Sequence, residues 1–152
     1  MPSNLARLAE LGVQLPPVVA PVAAYVPAVR SGSFVFTAGQ LPMVDGAMTV
    51  TGKVGDSVTP EQATALARTC ALNALAAVDD LVGLDSVVRV VKVVGFVASV
   101  PGFTAQPAVV NGASELLGEV FGDAGRHARS AVGVAALPLD AAVEVELVVE
   151  VA

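Results

Sequence analysis

The sequence predicts an α+β layer, with two main helices packed on one face of a mixed β-sheet, in a single domain spanning residues 1–152. Three features carry that prediction. Thr59-Pro60-Glu61-Gln62 combines an N-cap threonine, a proline at the first helical position and a capping-box glutamine, which together open a long helix. Val143 to Val151 alternates like a strand with two unlike faces: Val143, Val145, Leu147, Val149 and Val151 point one way, and Glu144, Glu146, Val148 and Glu150 the other. The element order, a hairpin and short extra strand, then helix, strand, helix and two strands, suits helices gathered on one side of a sheet.

Asn4 to Leu11 reads as a short amphipathic helix, and Pro16 to Pro21 as an extended connector, so residues 1–21 add a helix and a tether rather than a domain. The first strand is expected around Tyr25 to Val29. Ser31-Gly32-Ser33 turns it into Phe34-Val35-Phe36-Thr37, which completes a hairpin. Gly39-Gln40 follows, and Asp45-Gly46 marks a turn before a short segment ending in Gly52-Lys53-Val54-Gly55. In the long helix the apolar stripe is Ala63, Leu66, Ala67, Cys70, Ala74, Ala77, Val78 and Leu81, and Gly83 closes it. Small residues dominate that stripe and let the helix sit close on a sheet; Cys70 reads as part of the packing rather than as a reactive thiol.

Val87 to Ser99 is valine-rich with little alternation, the pattern of a strand covered on both faces, and Gly95 within it marks either a bulge or a close backbone approach. The second helix is expected at Gln106 to Phe121, with Val110, Ala113, Leu117 and Phe121 inward and Gly122 as its stop. Strands at Arg129 to Leu137 and Val143 to Val151 complete the chain.

Composition narrows the function. A chain of 152 residues that is 55% hydrophobic has more apolar surface than one ordinary core needs, which predicts burial between subunits. Only 14% of residues are charged and mean hydropathy is +0.74, so a membrane span has to be considered. The uncharged runs do not suit one: Leu11 to Val29 holds Pro16, Pro17, Pro21 and Pro27, and Val93 to Ser114 holds Pro101, Gly102 and Pro107. With Arg7 and Glu10 near the start, the N-terminus does not read as a secretory leader, and a cytoplasmic protein is expected. One cysteine, Cys70, and one histidine, His127, exclude an internal disulfide and any Cys- or His-rich metal site. A net charge of -6, with eight scattered basic residues, makes nucleic acid an unfavoured partner.

In so apolar a chain each charge needs a reason, because a lone buried charge costs several kcal/mol. Arg129 and Glu144 stand on the last two expected strands. Such charges are paired, exposed or used, so the two form either a cross-strand ion pair or part of a site. Other residues also carry two readings. Tyr25 either closes a cleft or packs with a satisfied hydroxyl; Asn111 either bonds a ligand or caps local backbone. His127, two residues before Arg129, is either a proton carrier on the same strand face or a loop residue. Gly39 and Gln40 either offer backbone groups to a ligand or serve a bend.

Tyr25, Thr37-Ala38-Gly39-Gln40, Asn111 and the closing block Ala128-Arg129-Ser130, Leu137-Pro138 and Val143-Glu144-Val145-Glu146 together form a pattern. Through it the chain, from Tyr25 to Val151, resembles the reactive-intermediate deaminases, the RidA/YjgF family once described as L-PSP endoribonucleases. Asn111-Gly112-Ala113-Ser114-Glu115 and Phe121 to Arg129 resemble a branch with an added N-terminal helix and a longer first helix. The resemblance implies a chorismate-mutase-like fold (Bacillus type) assembled as a homotrimer with clefts between subunits. It implies that Arg129 grips a substrate carboxylate and Glu144 places or activates water. Tyr25, Ala38, Gly39, Asn111, His127 and Ala131 would line the substrate site.

The implied reaction hydrolyses a small carboxylate-bearing enamine or imine to a 2-keto acid and ammonia, with no metal and no cofactor. Three departures bear on it: Ala38 and Ala131 stand where the archetype has serine and cysteine, and His127 where proline is common. These imply a changed substrate or a loss of deaminase activity. The rival expectations are a non-catalytic trimer that binds a small carboxylate metabolite and, weakest, an endoribonuclease.

Overall fold

The computed structural model describes residues 2–21 and 23–152, and their elements follow the expected order. Helix α1 (Asn4–Glu10) is capped by Ser3, and its Asn4 side chain donates to the carbonyls of Leu84 and Val87, tying it to the far end of the sheet. Strands β1 (Ala28–Ser31) and β2 (Phe34–Thr37) form the opening hairpin. A separate small hairpin, β3 (Met43–Val44) and β4 (Ala47–Met48), turns at Asp45-Gly46, where both residues take positive φ as a two-residue hairpin turn demands. Then come α2 (Pro60–Val82), β5 (Val87–Ala98), α3 (Gln106–Phe121), β6 (Ala128–Val134) and β7 (Val143–Val151).

The five-stranded sheet runs β1-β2-β7-β5-β6; β5 and β6 are parallel and the other pairs antiparallel, so the sheet is mixed. Helices α2 and α3 cover one face. The expected capping box is formed, with Thr59 and Gln62 bonding each other's backbone amides. Small residues allow the close contacts: a Cβ on Gly112 of α3 would collide with the Thr64 carbonyl of α2, and one on Gly95 of β5 would collide with Val110 of α3. Gly95 therefore marks a close approach. Cys70 is fully buried, its thiol reaching the Val143 carbonyl at 3.6 Å, and burial above all pushes its pKa up.

Four expectations need correction. Tyr25 lies in a bend before β1 rather than on it, because Pro27 has no N–H to give a ladder and pairing starts only at Ala28. The Gly52–Gly55 segment is not a sheet strand; Val54 makes only isolated bridges to Val58 and Ser99. Strand β6 ends at Val134, short of Leu137. In one chain β5 is covered by helices on one face only: Val90, Val93 and Val97 are fully buried, whereas Val88 is exposed.

The other sheet face is open and mixes apolar side chains with the charges of Glu144, Glu146, Glu150, Arg89 and Lys92. Cross-strand register places Val29 opposite Phe36, Phe36 opposite Val148, and Val132 opposite Phe96, which faces Glu144. Partners in register point the same way, so these residues share the face that carries the β7 glutamates. Val29, Phe34, Phe36 and Val132 are 41–52% exposed there.

Candidate functional site

Cross-strand register also decides how Arg129 and Glu144 relate. A cross-strand ion pair needs neighbouring strands, and β5 lies between β6 and β7. Arg129 pairs with Val93, which pairs with Leu147, and both of those are buried under the helices. Glu144 pairs with Phe96 on the open face. The two side chains therefore leave opposite faces of one sheet, and no cross-strand ion pair joins them. Among the described residues, Arg129 has no carboxylate within 4.0 Å; the ion pairs present are Arg7–Glu10, Lys53–Asp140, Arg68–Glu119 and Arg126–Asp123.

Glu144 belongs to a cavity of about 370 Å³, lined by Val19, Ala20, Pro21, Tyr25, Pro27, Ala38, Gly39, Gln40, Leu41, Met43, Pro138 and Glu144. A bulge at the end of β2 builds its floor. Phe36 lies opposite Val148 and Gln40 opposite Val145, so four steps on one strand meet three on the other. The Leu147 amide inside the bulge is satisfied by Thr37 Oγ1 at 2.9 Å, and Gln40 resumes pairing with both bonds to Val145. Gly39 stands at the crest, where a Cβ would lie 2.8 Å from Glu144 Cδ and Oε1. Only glycine lets the carboxylate lie against this backbone.

Buried Asn73 of α2 holds the next turn by donating to the Leu41 and Met43 carbonyls, each at 3.0 Å. The connector closes the cavity with Val19, Ala20 and Pro21. In this apolar setting, burial raises the Glu144 pKa above the ordinary carboxylate range, and the Glu146 charge adds to the shift.

Arg129 belongs to a second cluster, between β6 and α3. Its Nη1 donates to Asn111 Oδ1 at 2.7 Å and to Ser114 Oγ at 3.2 Å. Ser114 Oγ lies 2.9 Å from His127 Nε2, and His127 Nδ1 lies 2.7 Å from the Gly125 carbonyl oxygen. His127 precedes β6 rather than sharing its ladder, yet its ring reaches the arginine's partner. Ala131, two residues along β6, lies opposite Gly95 and packs on the core.

The eight residues expected at the site thus fall into two groups. Tyr25, Ala38, Gly39 and Glu144 line the cavity; Asn111, His127 and Arg129 form the cluster, with Ala131 beside it. One chain does not bring the groups together. Ser114 is the residue that sequence reasoning left without a role. Its signal was its place three residues after Asn111, which puts both on one helix face. Among the described residues, no group of His, Cys, Asp and Glu could hold a metal ion, and no helix is long and apolar enough to cross a membrane.

The family model described as Endoribonuclease L-PSP matches residues 17–151. Protein TCP17 of Trypanosoma cruzi is 49% identical over 147 residues, covering 95% of this chain and 92% of that protein. The crystal structure of Atu1372 from Agrobacterium tumefaciens, a protein of unknown function, is 46% identical with a TM-score of 0.90, covering 98% of this chain and 92% of that one. TdcF from E. coli, solved with bound serine, is 25% identical with a TM-score of 0.63, covering 91% of this chain and 94% of that one.

Proposed function

Because the chain belongs to the endoribonuclease L-PSP family, the RidA/YjgF family of the resemblance above, we propose that it is a homotrimeric hydrolase. It deaminates small carboxylate-bearing imines and enamines in a cleft formed where the Glu144 cavity of one copy meets the Arg129 cluster of the next. The observation that carries this reading is the separation of the two groups on opposite faces of one sheet. Each half lacks what the other has, and the exposed Val29, Phe34, Phe36 and Val132 on the sheet face that carries Glu144 supply apolar surface on which a second copy can pack.

Arg129 Nη1 spends its hydrogens on Asn111 and Ser114, and the Nε–Nη2 edge is the fork left for a substrate carboxylate. Glu144 then takes a proton from water as the water oxygen bonds to the imine carbon. Glu144 returns that proton to the nitrogen, giving a carbinolamine; it then takes the carbinolamine's hydroxyl proton and delivers it to the same nitrogen as the C–N bond breaks, so that ammonia leaves and the carbon becomes the ketone of a 2-keto acid. TdcF, solved with bound serine, supports a small amino- or keto-acid ligand for the family. The lining of Val19, Pro21, Pro27, Leu41 and Met43, with Ala38 where a hydroxyl would be, supports a ligand whose side chain is apolar in this member.

The test supplies imines in situ from leucine with an amino-acid oxidase and follows ammonia release. The intact protein is expected to exceed the uncatalysed rate, and Arg129→Ala to lose about 10²–10³-fold in kcat/KM, as loss of a charged, bidentate contact does. Turnover at the uncatalysed rate, with calorimetric binding of the keto acid retained, would move the assignment to a carboxylate-binding trimer without catalysis.

Proton transfer also predicts a pH limb. Glu144 acts as a base only when ionised, and its pKa is raised, so kcat/KM is expected to fall with acid at a pH above the ordinary carboxylate range of about 4. Glu144→Gln should remove that limb together with about 10²–10⁴-fold of the rate.

A further inference from the structure

We infer that Ser114 and His127 are positioning residues that lock the Arg129 guanidinium into a preset fork, through a hydrogen-bond chain whose direction is fixed at the Gly125 carbonyl. The inference rests on the reading of Arg129 as the carboxylate anchor and adds the residues that make it rigid.

The direction follows from donor and acceptor chemistry. A carbonyl oxygen only accepts, so the 2.7 Å contact to Gly125 requires the hydrogen on His127 Nδ1. In the neutral ring Nε2 is then bare and accepts. Ser114 lies 2.9 Å from it and has one hydrogen, which therefore points at Nε2. The serine lone pairs are left facing Arg129, where Nη1 donates at 3.2 Å while its other hydrogen goes to Asn111 at 2.7 Å. Both hydrogens of Nη1 are committed. Among the described residues, neither Nε nor Nη2 has a protein acceptor, so one defined edge of the guanidinium stays open.

Backbone packing holds the end of the chain. The turn Gly122–Gly125 lies against the close of α3, and a Cβ on Gly125 would collide with the Leu117 carbonyl, so this position takes glycine and keeps its own carbonyl within reach of His127 Nδ1. Asn111 and Ser114, three apart on α3, meet Arg129 from one helix face. An arginine on an edge strand without this brace would have to freeze its long side chain at the moment of binding; with it, the freezing is done in the fold.

The experiment titrates 4-methyl-2-oxopentanoate calorimetrically into the intact protein and into variants whose melting confirms that they are folded. Arg129→Ala is expected to abolish binding, which tests the anchor itself. His127→Leu and Ser114→Ala are each expected to raise Kd about tenfold. His127→Gln can offer a carbonyl oxygen where Nε2 stood and should recover affinity to within about threefold, whereas His127→Asn reaches only Gly125 and should match His127→Leu. Wild-type affinity in His127→Leu and Ser114→Ala, with binding lost in Arg129→Ala, would overturn the brace and leave the anchor standing. Equal behaviour of the Gln and Asn variants would overturn the directed chain. Undiminished binding by Arg129→Ala would remove the anchor, and the brace with it.

Discussion

Mixing Arg129→Ala chains with Glu144→Gln chains is expected to restore deaminase activity that neither variant has alone. The expectation follows from the sheet. Strand β5 separates β6 from β7, and the two side chains leave opposite faces, so a site needing both draws them from different copies. In a ring of three, a site between neighbours is complete when one supplies Arg129 and the next Glu144. Equal random mixing makes about a quarter of the sites complete, and activity should recover to that fraction after the chains are unfolded together and refolded. Each homogeneous variant should remain at least about a hundredfold below the wild type. A mixture as inactive as its parents would show that one chain furnishes both groups, and the shared-site reading would fall.

That geometry was only partly legible in the sequence. Alternation along Val143–Val151 revealed which residues of β7 face the helices and which do not, because a strand's two-residue period needs no knowledge of its neighbours. The capping box at Thr59 and the stop at Gly83 located α2 for the same reason: both signals are local. Strand order is not local. The last two strands are consecutive in sequence yet separated in the sheet, since β5 pairs with both, and nothing in either segment encodes that insertion.

The site divides along the same line. Arg129, Asn111, Glu144 and Gly39 stood out through the family pattern, whereas the bulge that sets Gly39 against Glu144 depends on a register seen only in three dimensions. Of the two readings of His127, the structure has the loop residue, just before β6, and not the strand face. Its actual bond to Ser114 depends on how the Gly122–Gly125 turn packs on α3. Sequence composition marks the connector only as a tether; the fold makes Val19, Ala20 and Pro21 a wall of the cavity.

Replacing Phe36 with aspartate is expected to dissociate the assembly and abolish turnover while leaving both half-sites folded. Phe36 lies on the open face, 47% exposed in a single chain, with Val29 on one side of it and Val148 on the other. Face-to-face packing of copies would bury it among apolar neighbours, where an unpaired carboxylate costs about 3–5 kcal/mol. A cyclic trimer repeats that cost at each subunit, so the loss accumulates across the ring. Within one chain the change is mild, because Val35, on the opposite side of the strand, carries the core contact and is fully buried. Sedimentation should therefore find monomers, thermal melting should still be cooperative, and ammonia release should fall to the uncatalysed rate. Arg129 would keep its bonds to Asn111 and Ser114, and Glu144 its place against Gly39, since neither contact involves Phe36. A fully active monomer would contradict the division of the site between copies. A trimer that survives the substitution would place the subunit boundary somewhere other than the open face of the sheet.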